Sequence, residues 1–331
     1  MKWFELAEDT RKEILNQTAA RIGLPAIAVE KDWWVTLALR IVFSLDISNR
    51  IIFKGGTSLS KGWNLIERFS EDIDLALDRE YLGFKGDLSK NQIKNLRKAS
   101  YKFITGDFTE MIKSKIIELK IPDLTVIKSD NSDSDTDPII LELDYASLFT
   151  KPDYIRSKVL IEIGSRSLME PTEIRKIISL TDELFMDNDF SEEALFIPSV
   201  LPKRTFLEKA FLLHEEFQKP LENIRVNRLS RHLYDLDKLK DIEHGVEALK
   251  DIDLYKAIVK HREIFNALRG IDYSKLSPDK IDFVPPDSIL NLWEADYRAM
   301  QESMIFGESK SFTDLVESIE ELRDRFRGIS T

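Results

Sequence analysis

The chain has 331 residues, 43% hydrophobic and 32% charged, the composition of an ordinary globular protein long enough for two domains. It contains no cysteine, which excludes disulfides, thiol nucleophiles and cysteine zinc sites; the four histidines, His214, His232, His244 and His261, have no HExxH or HxH spacing and predict no zinc site. A net charge of −11 argues against a general nucleic-acid coat, because phosphate contacts need Lys and Arg.

Met1-Lys2-Trp3-Phe4-Glu5 lacks the apolar run of a signal peptide, and the longest apolar stretch, Trp33 to Leu45, contains Arg40 and is too short to span a bilayer. A cytoplasmic protein with no membrane partner is expected. Residues 1–45 read as two helices, the second from Ala28 with Trp33, Trp34, Leu37 and Ile41 at helical spacing. Ile51-Ile52-Phe53 reads as a short buried strand ending at Gly55-Gly56. Thr57 is the expected N-cap of a helix carrying Leu59, Trp63 and Ile66 at i, i+4 and i+7. Asp72 to Asp78 reads as a strand, and residues 90–118 as a long amphipathic helix with exposed lysines. Leu124–Lys128, Ile139–Tyr145 and Lys158–Ile163 read as three further strands. The first two are joined by an acidic, serine-rich loop, Ser129 to Pro138, which lacks the glycine and terminal glutamate of an EF-hand. Past Phe196-Ile197-Pro198-Ser199-Val200-Leu201-Pro202 the pattern is helical, with Phe206, Ala210, Leu213 and Phe217 on one stripe. The expected domains are 1–185, α/β, and 186–331, mainly helical.

The chemistry concentrates in Lys54-Gly55-Gly56-Thr57-Ser58-Leu59 and Arg68-Phe69-Ser70-Glu71-Asp72-Ile73-Asp74-Leu75. In a strand, i and i+2 share a face, so Asp72 and Asp74 stand together while Ile73 and Leu75 turn away; Ser70 joins them if the strand starts early. Adjacent carboxylates repel unless a cation sits between them, and hard oxygens suit Mg²⁺. Magnesium beside a glycine-cleared turn and a helix N-terminus is what a nucleoside triphosphate (NTP) requires. The segment is no P-loop, since Lys61 precedes Gly62. Arg68 would neutralise phosphate or pair with Glu67 or Glu71. A third carboxylate is expected as ligand or base; Glu162, inside an apolar run, leads, with Asp144 and Glu142 as rivals. Nine basic residues from Lys203 to Lys240 form the most basic segment. It holds Lys209, and Arg231 at i, i+4 from Asp235, which reads as phosphate contacts or as a surface lysine and an intrahelical ion pair.

These motifs resemble the AbiEii/AbiGii family of nucleotidyltransferase-like toxins. The resemblance also runs through Glu30-Lys31-Asp32-Trp33, Glu162-Ile163, Phe206-Leu207-Glu208-Lys209 and Arg231-His232-Leu233-Tyr234-Asp235-Leu236, covering about residues 28–240. It implies an α+β fold: a polymerase-β-like core, a mixed sheet flanked by helices, with a helical C-terminal domain. It implies catalytic Asp72 and Asp74, with Lys209 and Asp235 in the nucleotide site. It also implies a role in toxin–antitoxin and abortive-infection (phage-defence) systems, with a winged-helix repressor antitoxin encoded alongside. Some members add nucleotides to tRNA 3′ ends, which blocks translation.

The expected reaction is in-line attack of a hydroxyl on the α-phosphate of an NTP, releasing pyrophosphate. Asp72 and Asp74 are the expected Mg²⁺ ligands. The N–H groups of Gly56, Thr57 and Ser58, with the Thr57 or Ser58 hydroxyl, would cradle phosphates. Lys209 would offset triphosphate charge, and Asp235 would orient Lys209 or touch the nucleoside. An RNA acceptor, a tRNA 3′ end contacted by the 203–240 segment, leads. The alternatives are nucleotidylation of a protein or small molecule, and a non-catalytic nucleotide-binding regulatory module.

Overall fold

The computed structural model describes residues 1–329 except 71, 131–132, 134–136, 150–156 and 170. Two compact units divide the chain: Met1–Trp63 with Phe69–Val200, and Asn64–Arg68 with Leu201–Thr331.

The first unit begins with helices α1 (Glu8–Ile22) and α2 (Ala26–Phe43). Nearly every side chain of α2 is buried, the charged Glu30, Lys31 and Asp32 included. Strand β1 (Ile51–Lys54) runs into a helix α3 (Gly55–Thr57) that continues as a π-helical turn, Ser58–Gly62. Strand β2 (Asp72–Leu77) follows. Helix α4 (Lys90–Phe103) opens with a Ser89/Gln92 capping box and passes through a π turn, Ile104–Phe108, into α5 (Thr109–Glu118), matching the predicted 90–118 helix. Strands β3 (Thr125–Lys128), β4 (Ile139–Asp144), β5 (Lys158–Gly164) and β6 (Thr172–Ile177) come next. Helix α6 (Leu180–Leu184) and strand β7 (Leu195–Val200) complete the unit.

The seven strands form one mixed sheet in the order β3-β4-β5-β2-β1-β7-β6. The pairs β2–β5 and β1–β7 are parallel and the rest antiparallel. Ile73, Leu75, Ile161, Ile163, Leu141 and Phe53 alternate onto one face and are almost wholly buried in the core with α2. The polar residues between them fall on the other face. The burial of this alternating set fixes the register, since a one-residue slip would invert both faces.

The second unit is helical: α7 (Pro202–Phe217), α8 (Ser230–Leu239), α9 (Glu243–Lys250), α10 (Ile252–His261), α11 (Leu290–Ser303) and α12 (Phe312–Arg327). Pro202 sits at the first turn of α7, where its missing N–H costs nothing. Phe206, Phe211, Leu236, Trp293 and Phe326 are buried to within 1% in its core. The sequence placed a soft boundary near residue 185, whereas the chain leaves the sheet after Val200. Strands β6 and β7 were not foreseen: β6 is charged and lies at the sheet edge, and β7 contains Pro198, which reads as a breaker. The helix expected from Thr57 through Ile66 ends at Gly62. Lys54 takes the N-cap position, and Thr57 lies inside the helix.

Candidate active site

Asp72 and Asp74 project half-buried from the polar face of β2. The β2–β5 register sets Asp74 directly opposite Glu162, also half-buried, about 4.8 Å away between neighbouring strands. Glu142 lies one strand further out, opposite Leu160, and forms an ion pair with Lys158. Asp144 lies opposite Lys158 at the strand end. Of the three rivals, only Glu162 is Asp74's neighbour in register. On the other side, Lys54 of β1 is the register partner of Asp74.

The glycine turn is shaped around Asp74. Gly55 has φ +76°, and a Cβ built there would lie 1.9 Å from Asp74 Oδ2, so the carboxylate occupies space that only glycine leaves open. The Asp74 carboxylate has no hydrogen bond or ion pair among the described residues. Three contacts pin the segment that follows. The buried Thr57 hydroxyl is 2.8 Å from Ser70 Oγ and also contacts the Asp72 carbonyl, which ties the turn to β2. Lys61 forms a buried ion pair with Asp32 of α2, whose other oxygen accepts the Leu180 N–H at 2.8 Å. Arg175 of β6 donates to the Gly62 carbonyl at 2.9 Å and lies 4.3 Å over the Trp63 ring, while Trp63 donates to the Val200 carbonyl. The unforeseen strands thus hold the far end of the glycine segment.

The hydroxyl candidates separate. Thr57 and Ser70 are committed to each other, whereas the Ser58 hydroxyl is buried with no partner among the described residues. Glu30 accepts the Ser147 hydroxyl at 2.6 Å and the Leu148 N–H at 2.7 Å, and burial raises its pKa. Glu30 therefore anchors the chain beyond β4. Glu71 lies outside the described residues.

The nucleotide-site residues suggested for the C-terminal part form a cluster inside the second unit. Arg68 grips Asp235 with two parallel hydrogen bonds of 2.7 Å, and Lys209 Nζ lies 2.8 Å from the same carboxylate. Asp235 is fully buried. Burial opposes its ionisation, but the Arg68 and Lys209 charges outweigh that and hold the carboxyl below its usual range. Asp235 is held by Arg68 and Lys209, not by the expected Arg231; Arg68 reaches Asp235, not Glu67, and its other expected partner, Glu71, lies outside the described residues. His232, which sequence reading passed over, approaches Lys209 through Nδ1 at 3.4 Å. Burial, then the Lys209 and Arg231 charges, push its pKa well down, so the ring is neutral and accepts from the ammonium. Its position one turn from Asp235, at i−3, was the available signal.

The basic segment is largely neutralised. Lys203, Arg204, Lys209, Lys219, Arg225, Lys238 and Lys240, seven of the nine, pair with carboxylates at 2.7–3.1 Å. It retains little open charge for phosphates.

A divalent ion fits the sheet face on the chemistry of its donors. Among the described residues no three His, Asp or Glu side chains converge closely enough to hold a metal by themselves. Mg²⁺ is usually bound through one or two carboxylates and substrate phosphates, which is what Asp72, Asp74 and the adjoining turn supply.

The observed spacing makes a steric prediction. Gly55→Ala would drive Asp74 from its place and add about 1–2 kcal/mol of left-handed strain. Gly23→Ala carries similar strain at φ +74° with nothing within 4 Å. Gly55→Ala should melt below Gly23→Ala, which shares its strain but not its clash, and nucleotide transfer should fail only in Gly55→Ala. Equal transfer by both would show that Asp74's seat is immaterial.

No helix among the described residues is long and apolar enough to cross a membrane. No curated protein sequence matches the chain. Residues 40–324 match the family described as nucleotidyl transferase AbiEii toxin, type IV TA system, a span that starts beyond Glu30-Lys31-Asp32-Trp33 and takes in most of the helical unit. With a mixed sheet flanked by helices and an aspartate pair facing a glycine turn, the chain belongs to the AbiEii family of nucleotidyl transferase toxins.

Proposed function

We propose that the protein is a Mg²⁺-dependent toxin that transfers a nucleotide from an NTP to an RNA, a tRNA 3′ end, in the cytoplasm. Its action there would block translation and be countered by an antitoxin partner, a winged-helix repressor encoded alongside. The observation that carries the reading is the juxtaposition of Asp74 with Gly55 on one side and Glu162 on the other, with Asp72 on the same face.

Asp72 and Asp74 are the metal-holding pair. A bound Mg²⁺ would neutralise charge on the attacking and leaving oxygens. Glu162, the register neighbour of Asp74, would accept the proton of the attacking hydroxyl or join the pair. The backbone N–H groups of Gly56 and Thr57, and the unpartnered Ser58 hydroxyl, would hold the phosphates; the Ser58 N–H, expected to join them, is taken by the Gly55 carbonyl. Thr57 and Ser70 act one step back, by fixing the turn to β2. Lys209 is assigned phosphate charge, with Asp235 and His232 holding its ammonium. A folded Lys209→Met variant with unchanged KM for NTP would remove Lys209 from the reading.

The test is a transfer assay with Mg²⁺, each of the four α-³²P-labelled NTPs and total cellular RNA, run beside Asp72→Ala/Asp74→Ala. A labelled tRNA-sized band that the double variant cannot make is expected. Label on polypeptide that survives RNase would move the activity to a protein acceptor. Tight NTP binding without pyrophosphate release would make the protein a binding module.

A further inference from the structure

Helix α4 is chemically one-sided. Its 14 residues include Lys90, Lys94, Lys98, Lys102 and Arg97 and no carboxylate. The four lysines recur every fourth residue, so at 1.5 Å rise per residue they stand about 6 Å apart along a ridge about 18 Å long. Like charges at i, i+4 weaken a helix, and Lys90 sits at the N-terminus, where the macrodipole disfavours a cation. Local stability therefore does not account for the arrangement. All four lysines are exposed, and none has an acidic partner among the described residues. On α5, by contrast, Lys113 and Lys115 are paired with Glu110 and Glu118.

The inner side of α4 is committed. Ile93, Leu96 and Phe103 are buried. The charge of Arg97 acts on Asp137, as does that of Lys54, the register partner of Asp74. Asp137 itself fills the space where a Cβ on Gly164 would lie, two residues beyond Glu162 on β5. Phe103, at the C-terminal end of the helix, belongs to the core shared with α2, while Arg97, nearer its middle, acts on the carboxylate that fills the Gly164 position on the face carrying Glu162.

We propose that the Lys90–Lys94–Lys98–Lys102 ridge is the docking surface for the phosphate backbone of the RNA acceptor. This rests on the reading of the protein as an RNA nucleotidyltransferase. Evenly spaced, unpaired cations over about 18 Å match an extended polyanion better than a compact ligand. Between the lysines stand the exposed amides of Asn91 and Asn95, which can bond phosphate and 2′-hydroxyl oxygens. Lys90 through Lys102 expose no large apolar side chain that could enter a bilayer, which disfavours anionic lipid as the partner. The ridge takes the role expected of the 203–240 segment, whose charges are mostly paired internally.

The test measures binding of total tRNA by fluorescence anisotropy across a salt series, in the Asp72→Ala background so that no turnover intervenes. Lys94→Gln/Lys98→Gln/Lys102→Gln should weaken binding by roughly tenfold or more and reduce the slope of log K against log[salt] by about 2–3. NTP affinity and melting temperature should not fall. Unchanged tRNA affinity and slope would overturn the proposal. So would a variant that keeps tRNA but loses binding to phosphatidylglycerol vesicles or to a polyglutamate peptide. If the wild-type protein labels polypeptide instead of RNA, the catalytic reading fails by itself, and the tRNA titration still decides the ridge.

Discussion

Asp74→Asn should abolish nucleotide transfer without lowering the melting temperature. The two halves of that result have separate causes. Losing the carboxylate removes half of the pair that would hold Mg²⁺, whose charge stabilisation is worth several kcal/mol, roughly three orders of magnitude in rate. Stability should hold or rise, because Asp72 and Asp74 are like charges on one strand face, and the Asp74 carboxylate has no partner among the described residues whose loss would cost energy. The amide is nearly isosteric, so the close seat against Gly55 is kept and the variant isolates charge from shape. Chelation with EDTA should reproduce the loss in the wild type, and added Mg²⁺ should restore it there but not in the variant. Transfer by Asp74→Asn within tenfold of wild type would remove the carboxylate pair from the chemistry. A fall in melting temperature would instead make Asp74 structural.

What was legible in the sequence follows from what is local. The glycine pair and Asp72-x-Asp74 could be read because a strand's two-residue period and a turn's need for glycine are short-range rules. Glu162 could be singled out as an acid within an apolar run, but its choice over Glu142 and Asp144 needed the register that sets it beside Asp74. The α+β fold class came from the family resemblance, and the 90–118 helix from its amphipathic pattern. Strand β6 escaped because an edge strand need not be apolar, and β7 because Pro198 masks it. The Arg68–Asp235 pair joins residues 167 apart, which no helix or strand period relates. The same holds for the basic segment. Counting its charges suggested a phosphate surface, yet Lys203 and Lys240 are matched by Asp251 and Glu321 from other helices. Charge counts along a chain reveal supply; only the fold reveals which charges are already spent.

Asp235→Ala should be the most destabilising single change in the helical unit. Its carboxylate is shared by two buried cations, Arg68, 1% exposed, and Lys209, and among the described residues it is the acid that meets both. Removing one partner of a buried pair leaves uncompensated charge and costs about 3–5 kcal/mol, far more than a surface pair would. Arg68→Leu/Asp235→Leu should recover part of that loss, since an apolar replacement leaves fewer orphaned charges. If the single variant melts like the wild type, the cluster contributes nothing. The pH response separates its members. Asp235 has a depressed pKa, so its contribution is complete above the unfolded value of about 3.9 and is lost only as pH falls below it. His232 is also depressed: below about 6.5 the unfolded chain takes a proton that the folded ring refuses, and stability drops by up to about 1.4 kcal/mol per pH unit. Burial shifts His214 the same way and adds to the slope. Between pH 7.5 and 5.5 the wild type should therefore lose stability through its histidines while Asp235 stays ionised. His232→Gln should flatten that dependence, and a slope that is unchanged in this variant would show that the ring accepts the proton in the folded state.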